Sequence, residues 1–257
     1  MNDIRLYQNS WNGNTPIMCC HIPKAMGSWL RKELMHSIGP ERNFKPVATF
    51  IGKKEFDDPV WLDVLNSKDK YSLVEGHFVF DDRARTLAET HLSISCVRDP
   101  FEMFWSHVKY IIQTRGSTDH LALFTKNEKY RFDNPMCRYF SGIREERLLM
   151  KNELDYYFQI AKENIARSFD FIFIDKYLQA SCDFFLQYSN GVKINPSMRV
   201  NQSKSSIWHL DFDLFRSACF YKYKKYYEYD YKLYNYIIKQ FISKAGEHHD
   251  KLLPGLS

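Results

Sequence analysis

The stretch IMCCHIPKAMGSW, Ile17 to Trp29, decides how the rest of the chain is read. Its first part, Ile17–His21, is a short apolar run that stops at a proline and a small-residue turn. Ser28–Ser37 (SWLRKELMHS) then has the pattern of a helix, with Ser28 near its start and Trp29, Leu30 and Leu34 on one side. A strand, a tight turn and a helix start bring several backbone N–H groups to one point, where the helix dipole also favours an anion. Lys24 adds a point charge, and the Ser28 hydroxyl can donate to a phosphate oxygen. The order differs from the GxxxxGK[ST] loop of ATPases, because the lysine precedes Gly27. On this segment alone, an ordinary strand-to-helix turn with an exposed lysine and a serine cap is an equal alternative.

Moving outward, strands and helices alternate. Tyr71–Val74 is a second strand candidate, running into Glu75-Gly76-His77-Phe78. His91–Val97 is a third; it ends at Arg98-Asp99-Pro100 and leads into an aromatic-rich helix over Phe101–Gln113. Asn152–Arg167 reads as a helix, Phe169–Ile174 as a fourth strand, and Lys176–Tyr188 as the helix after it. Short apolar strands between helices predict one α/β domain with a mostly parallel central sheet covered on both faces. Ligands bind such sheets at the carboxyl ends of the strands. Three of those ends carry polar residues: His21–Ser28, Gly76-His77 and Arg98–Ser106. Arg98 and Ser106 can converge on a phosphate, arginine offering the donor fork that phosphate recognition favours. Asp99 is a candidate helix cap and Pro100 suits a first helical position. The alternative is an Arg–Asp surface pair beside a capped helix.

Composition narrows the classes. The 257 residues fit one large domain, and a net charge of +5 with 44% apolar and 26% charged residues fits a folded chain. Only 10 glycines occur against 37 Phe and Tyr together, so the core is expected to be aromatic and each glycine needs a reason. No run of about 18 apolar residues is present, which argues against a membrane span. Residues 1–15 read as an N-terminal extension without signal-peptide character, and 244–257, with His248 and His249, as a polar tail. The six cysteines lack CxxC spacing, and with no HExxH either, neither zinc nor a disulfide framework is expected; a cytoplasmic location is the default. Tyr221–Tyr236 (YKYKKYYEYDYKLYNY) is half tyrosine. Its helical period predicts one amphipathic helix covering the core, with a single-strand nucleic-acid platform as the alternative. Thr114–Phe132 is a long polar stretch without clear period, the place to look for a substrate loop.

Taken together, these segments resemble the sulfotransferases that use 3′-phosphoadenosine 5′-phosphosulfate. HIPKAMGSWL resembles their 5′-phosphosulfate loop and CVRDPFEMFWSHVKY their 3′-phosphate motif. EGHF is similar to the Gly-His segment of the carbohydrate, heparan-type branch, and DNPMCRYFSG to that branch's Asn-x-x-x-Arg helix. RVNQSKSS (199–206) resembles a late loop near the nucleotide, and YYEYDYKLYNY the closing helix. The segments stand in family order from residue 17 to about 240, and the chain looks like a bacterial-type soluble member. It departs from the pattern at Ala25 and Met26, which replace a hydroxyl residue and a glycine, and at Met103, which replaces an arginine.

The resemblance implies a phosphate-binding strand-loop-helix in a single domain, and in-line sulfuryl transfer to a hydroxyl of a carbohydrate or small-molecule acceptor. It implies that Lys24 stabilises the leaving phosphate and that residues Ala25, Met26, Gly27, Ser28 and Trp29 hold the 5′-phosphate side. Arg98 and Ser106 would hold the 3′-phosphate, His77 would be the base, and Asn201, Ser203 and Lys204 would wrap the nucleotide. The product would be adenosine 3′,5′-bisphosphate; no metal, nucleic acid or membrane is called for. A neutral imidazole near pH 7 suits the base's task. Asn134 and Arg138, four apart, reach either the nucleotide or an acidic substrate, or form a structural pair. His21 is read as structural. A kinase with an atypical phosphate loop and a nucleic-acid module built on the Lys/Tyr helix are the competing functions.

Overall fold

Apolar runs become the inner strands, because only a strand covered on both faces can bury every side chain. The computed structural model describes residues 4–8, 11, 13–38, 44–46, 58–67, 70–115, 133–145, 147–197 and 212–248. Within these, five strands form a single sheet: β1 (Ile17–Cys20), β2 (Phe44–Pro46), β3 (Leu73–Gly76), β4 (Leu92–Val97) and β5 (Phe171–Ile174). Their order is β2-β3-β1-β4-β5 and every pairing is parallel. β1, β3, β4 and β5 are buried at every position. The chain thus forms one α/β domain with a parallel central sheet flanked by helices.

β1 lies centrally, with Cys20 opposite Gly76 of β3 on one side and Ser95 of β4 on the other. From β1 the chain first builds the β3 side of the sheet and then crosses to the β4 side. The carboxyl end of β1 is therefore where the order of the strands switches direction, the place at which doubly wound sheets open a crevice. Helix α1 (Gly27–Ile38) follows β1, α2 (Asp58–Asn66) precedes β3, α3 (Asp82–Ala88) precedes β4, and α4 (Pro100–Arg115) follows it. Further along come α5 (Pro135–Ser141), α6 (Lys151–Ser168), α7 (Leu178–Tyr188), α8 (Phe212–Tyr223) and α9 (Glu228–His248).

The core is as aromatic as the composition predicts. Phe171 of β5 has the rings of Tyr7, Phe173 and Phe185 at 4.9 to 5.1 Å. Tyr7 lies in the segment expected to be an extension. Its hydroxyl donates to Ile172 O at 2.7 Å, and Leu6 and Trp11 are buried beside it. Arg5 holds Asp170 through two bonds of 2.6 and 2.5 Å and reaches the carbonyls of Ala88 and His91. The described part of 1–15 is thus built into the domain, since its apolar side chains complete the core beside β5.

Three further expectations shift. The strand expected at Tyr71–Val74 runs instead from Leu73 to Gly76, taking in a charged residue, Glu75, that is buried. The helix expected across 221–236 is interrupted: α8 ends at Tyr223, a 3-10 turn spans Lys224–Tyr226, and α9 starts at Glu228. The break allows Tyr227 to turn inward and donate its hydroxyl to Phe220 O at 2.7 Å. The tail expected from residue 244 begins later, because α9 continues to His248, with Leu233, Ile237, Phe241 and Ala245 facing the core at every fourth position. Among the described residues no helix is long and apolar enough to cross a membrane.

Candidate functional site

Parallel register brings His21, His77 and Arg98, each the first residue beyond its strand, to one edge of the sheet. The His21 N–H donates to Gly76 O at 2.8 Å, extending the β1–β3 ladder one step. His77 Nδ1 lies 2.8 Å from His21 O. A carbonyl only accepts, so Nδ1 carries the hydrogen and the neutral ring keeps its lone pair on Nε2. Burial, and then the neighbouring His21, push the His77 pKa down to about 4, against a smaller upward pull from the hydrogen bond and from Glu75. His77 is therefore neutral at pH 7 and able to accept a proton.

The turn between β1 and α1 bends through two left-handed residues, Lys24 at φ +64° and Met26 at φ +63°. Neither is glycine, so each position stores about 1–3 kcal/mol of backbone strain. Ala25 between them is buried and pinned: its N–H donates to Ile22 O at 3.2 Å, and its carbonyl accepts from Cys96 Sγ of β4. Met26 packs its side chain on the core edge. Gly27 is needed for space. A Cβ there would lie 1.7 to 2.1 Å from ring atoms of His21. Among the described residues no acceptor meets the N–H groups of Met26, Gly27 or Ser28, and Ser28 is exposed. These three donors sit where the positive end of α1 emerges.

Lys24 ties this loop to α4, its Nζ standing 3.8 Å from the centroid of the Tyr110 ring. Half-burial holds its pKa below the usual lysine value. At the end of β4, Arg98 lies between two carboxylates, 3.7 Å from Asp175 and 3.8 Å from Glu102. Asp99 acts as the cap that its position predicts, accepting from Phe101 N at 2.9 Å and Glu102 N at 3.0 Å. Glu102, Ser106 and Lys109 follow at helical spacing on one face of α4, and Ser106 is partly buried there.

Two cations beside Arg98 escaped the sequence reading. Arg216 of α8 pairs with Glu102 and lies over the Phe101 ring at 5.1 Å. Lys109 has its pKa lowered by burial and by repulsion from Arg98 and Arg216. Lys109 was findable, three residues past Ser106 on the same helix. Arg216 was not, because nothing in the intervening sequence places α8 against α4.

The other expected site residues lie elsewhere. Trp29 is turned into the core, edge-on to Phe173 at 5.8 Å, with Nε1 donating to Asn195 O and its backbone N–H to Met26 O, both at 2.9 Å. Neither of its donors faces the crevice. Asn134 is a left-handed cap whose Oδ1 accepts from Tyr229 N at 2.8 Å and Asp230 N at 3.2 Å. Arg138 is sealed, donating to Asp133 O at 2.7 Å, Glu145 O at 3.0 Å, Arg147 O at 2.6 Å and the Asp133 carboxylate. Of the two readings left open for this pair, the geometry supports the structural one. Asn201, Ser203 and Lys204 lie outside the described residues, as does Thr114–Phe132 beyond its first two positions. Among the described residues no group of three or more His, Cys, Asp or Glu side chains is arranged for a metal ion.

A scan against protein-family models and a search of curated proteins each find no match to this chain.

Proposed function

We propose that the protein is a sulfotransferase that moves a sulfuryl group from 3′-phosphoadenosine 5′-phosphosulfate to a hydroxyl of a carbohydrate or small-molecule acceptor. One observation carries the reading: His77 and Arg98 directly follow β3 and β4, and Lys24 stands in the turn after β1 between them, around backbone donors that meet no acceptor among the described residues. The N–H groups of Met26, Gly27 and Ser28, without an acceptor among the described residues, suit a 5′-phosphate, with Lys24 beside them. Arg98, Ser106 and the neighbouring Lys109 and Arg216 suit a 3′-phosphate, the group that distinguishes this donor from ATP.

When bound, the donor supplies the sulfuryl group and a phosphate leaving group. His77 Nε2 takes the proton from the acceptor hydroxyl as that oxygen bonds to sulfur. Lys24 balances the negative charge left on the departing 5′-phosphate oxygen as its bond to sulfur breaks. Arg98 and the α4 face hold the far end of the nucleotide, so that the reacting groups meet in line. Lysine and arginine supply the positive charge that magnesium provides in kinases.

Both competing functions draw less support. The lysine of the loop precedes Gly27, unlike the ATP-binding order. In the Lys/Tyr segment Tyr223, Tyr227, Tyr229 and Tyr234 are buried, leaving no row of exposed rings for bases to stack on. Calorimetry with adenosine 3′,5′-bisphosphate and with ATP tests the reading. Tighter binding of the bisphosphate is expected; preference for ATP, or no binding of either, overturns it.

A further inference from the structure

We propose that His21 is a positioning residue of this site, a wedge held by Glu75 that fixes the phosphate loop at Gly27 and the orientation of His77 at the same time. The inference rests on the reading of residues 24–28 as an anion loop and of His77 as the base.

His21 is engaged through its backbone and through its ring. Its N–H binds Gly76 O and its carbonyl receives His77 Nδ1, each at 2.8 Å. Its ring lies 4.0 Å from the His77 ring at an angle of 37°. The opposite contact is the open side of Gly27, where a side chain would collide with the imidazole. Ring Nδ1 is 2.9 Å from Glu75 Oε1, which sets the direction of the whole wedge. Glu75 is 2% exposed, and its other oxygen lies 3.7 Å from Arg31 Nε of α1.

That carboxylate is not there to satisfy the backbone. Among the described residues its partners are the His21 ring and Arg31, so an apolar pair at 21 and 75 would orphan no main-chain group. Burying a carboxylate is costly unless it does something that packing cannot. Here it aims an imidazole, as carboxylates aim the histidines of metal and catalytic sites. The groups whose charges act on His77 are His21, Glu75 and Lys24, and of these only Glu75 favours its protonated form. When His77 takes the acceptor's proton, Glu75 offsets the repulsion from Lys24.

A steric cycle tests the wedge. Gly27→Ala is expected to lower the melting temperature and to weaken adenosine 3′,5′-bisphosphate binding about 10-fold or more. In His21→Ala/Gly27→Ala the new methyl group enters the vacated space, so melting temperature and nucleotide affinity recover while kcat stays about 10-fold down. Glu75→Gln keeps the ring and removes the charge. It should lower kcat about 10-fold at unchanged nucleotide affinity and move the acid limb of the pH profile to lower pH. Additive effects of the two substitutions, full recovery of kcat in the double variant, or an unmoved profile in Glu75→Gln each overturn the proposal. The melting-temperature cycle needs no ligand, so the two readings fail separately. A wild-type chain that binds no bisphosphate removes the site reading, whereas a chain that binds it without coupling between positions 21 and 27 removes only the role of His21.

Discussion

The edge of the sheet at β1, β3 and β4 and the clasp around α5 hold the same kinds of residue, yet they turn them in opposite directions. In the clasp each polar group meets another from the chain. Arg138 spends its donors on three carbonyls and Asp133, Asn134 caps α9, and Asp230 of α9 returns the favour by accepting from Met136 N at 3.0 Å and Cys137 N at 2.8 Å. At the sheet edge, the N–H groups of Met26, Gly27 and Ser28 meet no acceptor among the described residues, and Lys24, Ser28, His77 and Ser106 all keep some exposure. A motif residue type does not separate structure from function. The direction in which its hydrogen bonds close does.

The sharpest way to break the contrast is to remove one group from each region and ask which property falls. At the sheet edge His77→Ala should lower kcat about 1,000-fold, within the range of general base catalysis, with bisphosphate affinity nearly unchanged. Lys24→Ala should cost a similar factor, as a charge stabiliser of the transition state. Because the His77 pKa is about 4 in the free protein, kcat/KM should hold down to about pH 5 and fall below it, with no inflection near the ordinary histidine value. Stability follows the same sign. The folded pKa lies below the unfolded one, so this contribution is complete above pH 6.5 and is lost as pH falls towards 4. Normal turnover in His77→Ala, read in a labelled-donor assay, removes it from the mechanism.

In the clasp the matching change is Arg138→Ala, expected to destabilise the fold by about 3 kcal/mol because it leaves the buried Asp133 carboxylate without its ion partner and the carbonyls of Asp133, Glu145 and Arg147 without the guanidinium donor. Urea unfolding measures the loss, and the remaining folded fraction should bind bisphosphate as wild type does. An Arg138→Ala chain that is stable but blind to nucleotide would move Arg138 from the clasp to the site.

How much of this was legible follows from where the partners lie. β1 and β5 are continuous apolar runs, β4 is an apolar run interrupted by the buried Ser93 and Ser95, and their alternation with helices is enough for a parallel sheet. β2 was missed because Phe44-Lys45-Pro46 is three residues long with a lysine and a proline, a composition that only an edge strand tolerates. β3 was misplaced by two residues because Glu75 looks like a strand end until His21, 54 positions earlier, is seen to hold it. His77 and Arg98 were visible because they follow strands directly and Lys24 because it lies in the turn after β1, and parallel register then brings strand ends together without further information. The clasp was not visible, because Asn134 and Arg138 are satisfied by residues 133, 145, 147, 229 and 230, and chain distance hides that closure. The broken helix at 224–226 has the same origin: Asn134 N–H takes Tyr226 O at 2.5 Å, a contact that no helical period foretells.

A smaller effect sharpens the comparison through charge. Burial raises the pKa of Asp230 to about 7, against the pull of its two backbone donors. Its folded pKa exceeds the unfolded value, so the stability it confers is present below about pH 4 and is lost as pH rises through 7. Asp230→Asn removes that titration while keeping one acceptor. The variant's melting temperature should fall less between pH 5 and pH 8 than that of wild type, by an amount equivalent to about 1–2 kcal/mol. Parallel melting curves at the two pH values would show that Asp230 stays ionised and that the clasp is a network of full charges.

The smallest expected effect lies at Ser106, where the two regions come closest in character. It is partly buried on α4, between Glu102 and Lys109. If the 3′-phosphate rests there, Ser106→Ala removes one neutral donor and leaves Arg98 in place, a loss of about 1 kcal/mol or five-fold in affinity. The loss should appear for adenosine 3′,5′-bisphosphate and vanish for adenosine 5′-phosphate, which has nothing to offer that hydroxyl. Arg98→Ala, by contrast, removes a charged fork and should cost more for the same ligand. Equal losses for both nucleotides in Ser106→Ala would mean that the serine packs α4 rather than reads a phosphate, and the outward-facing region would then end at Arg98.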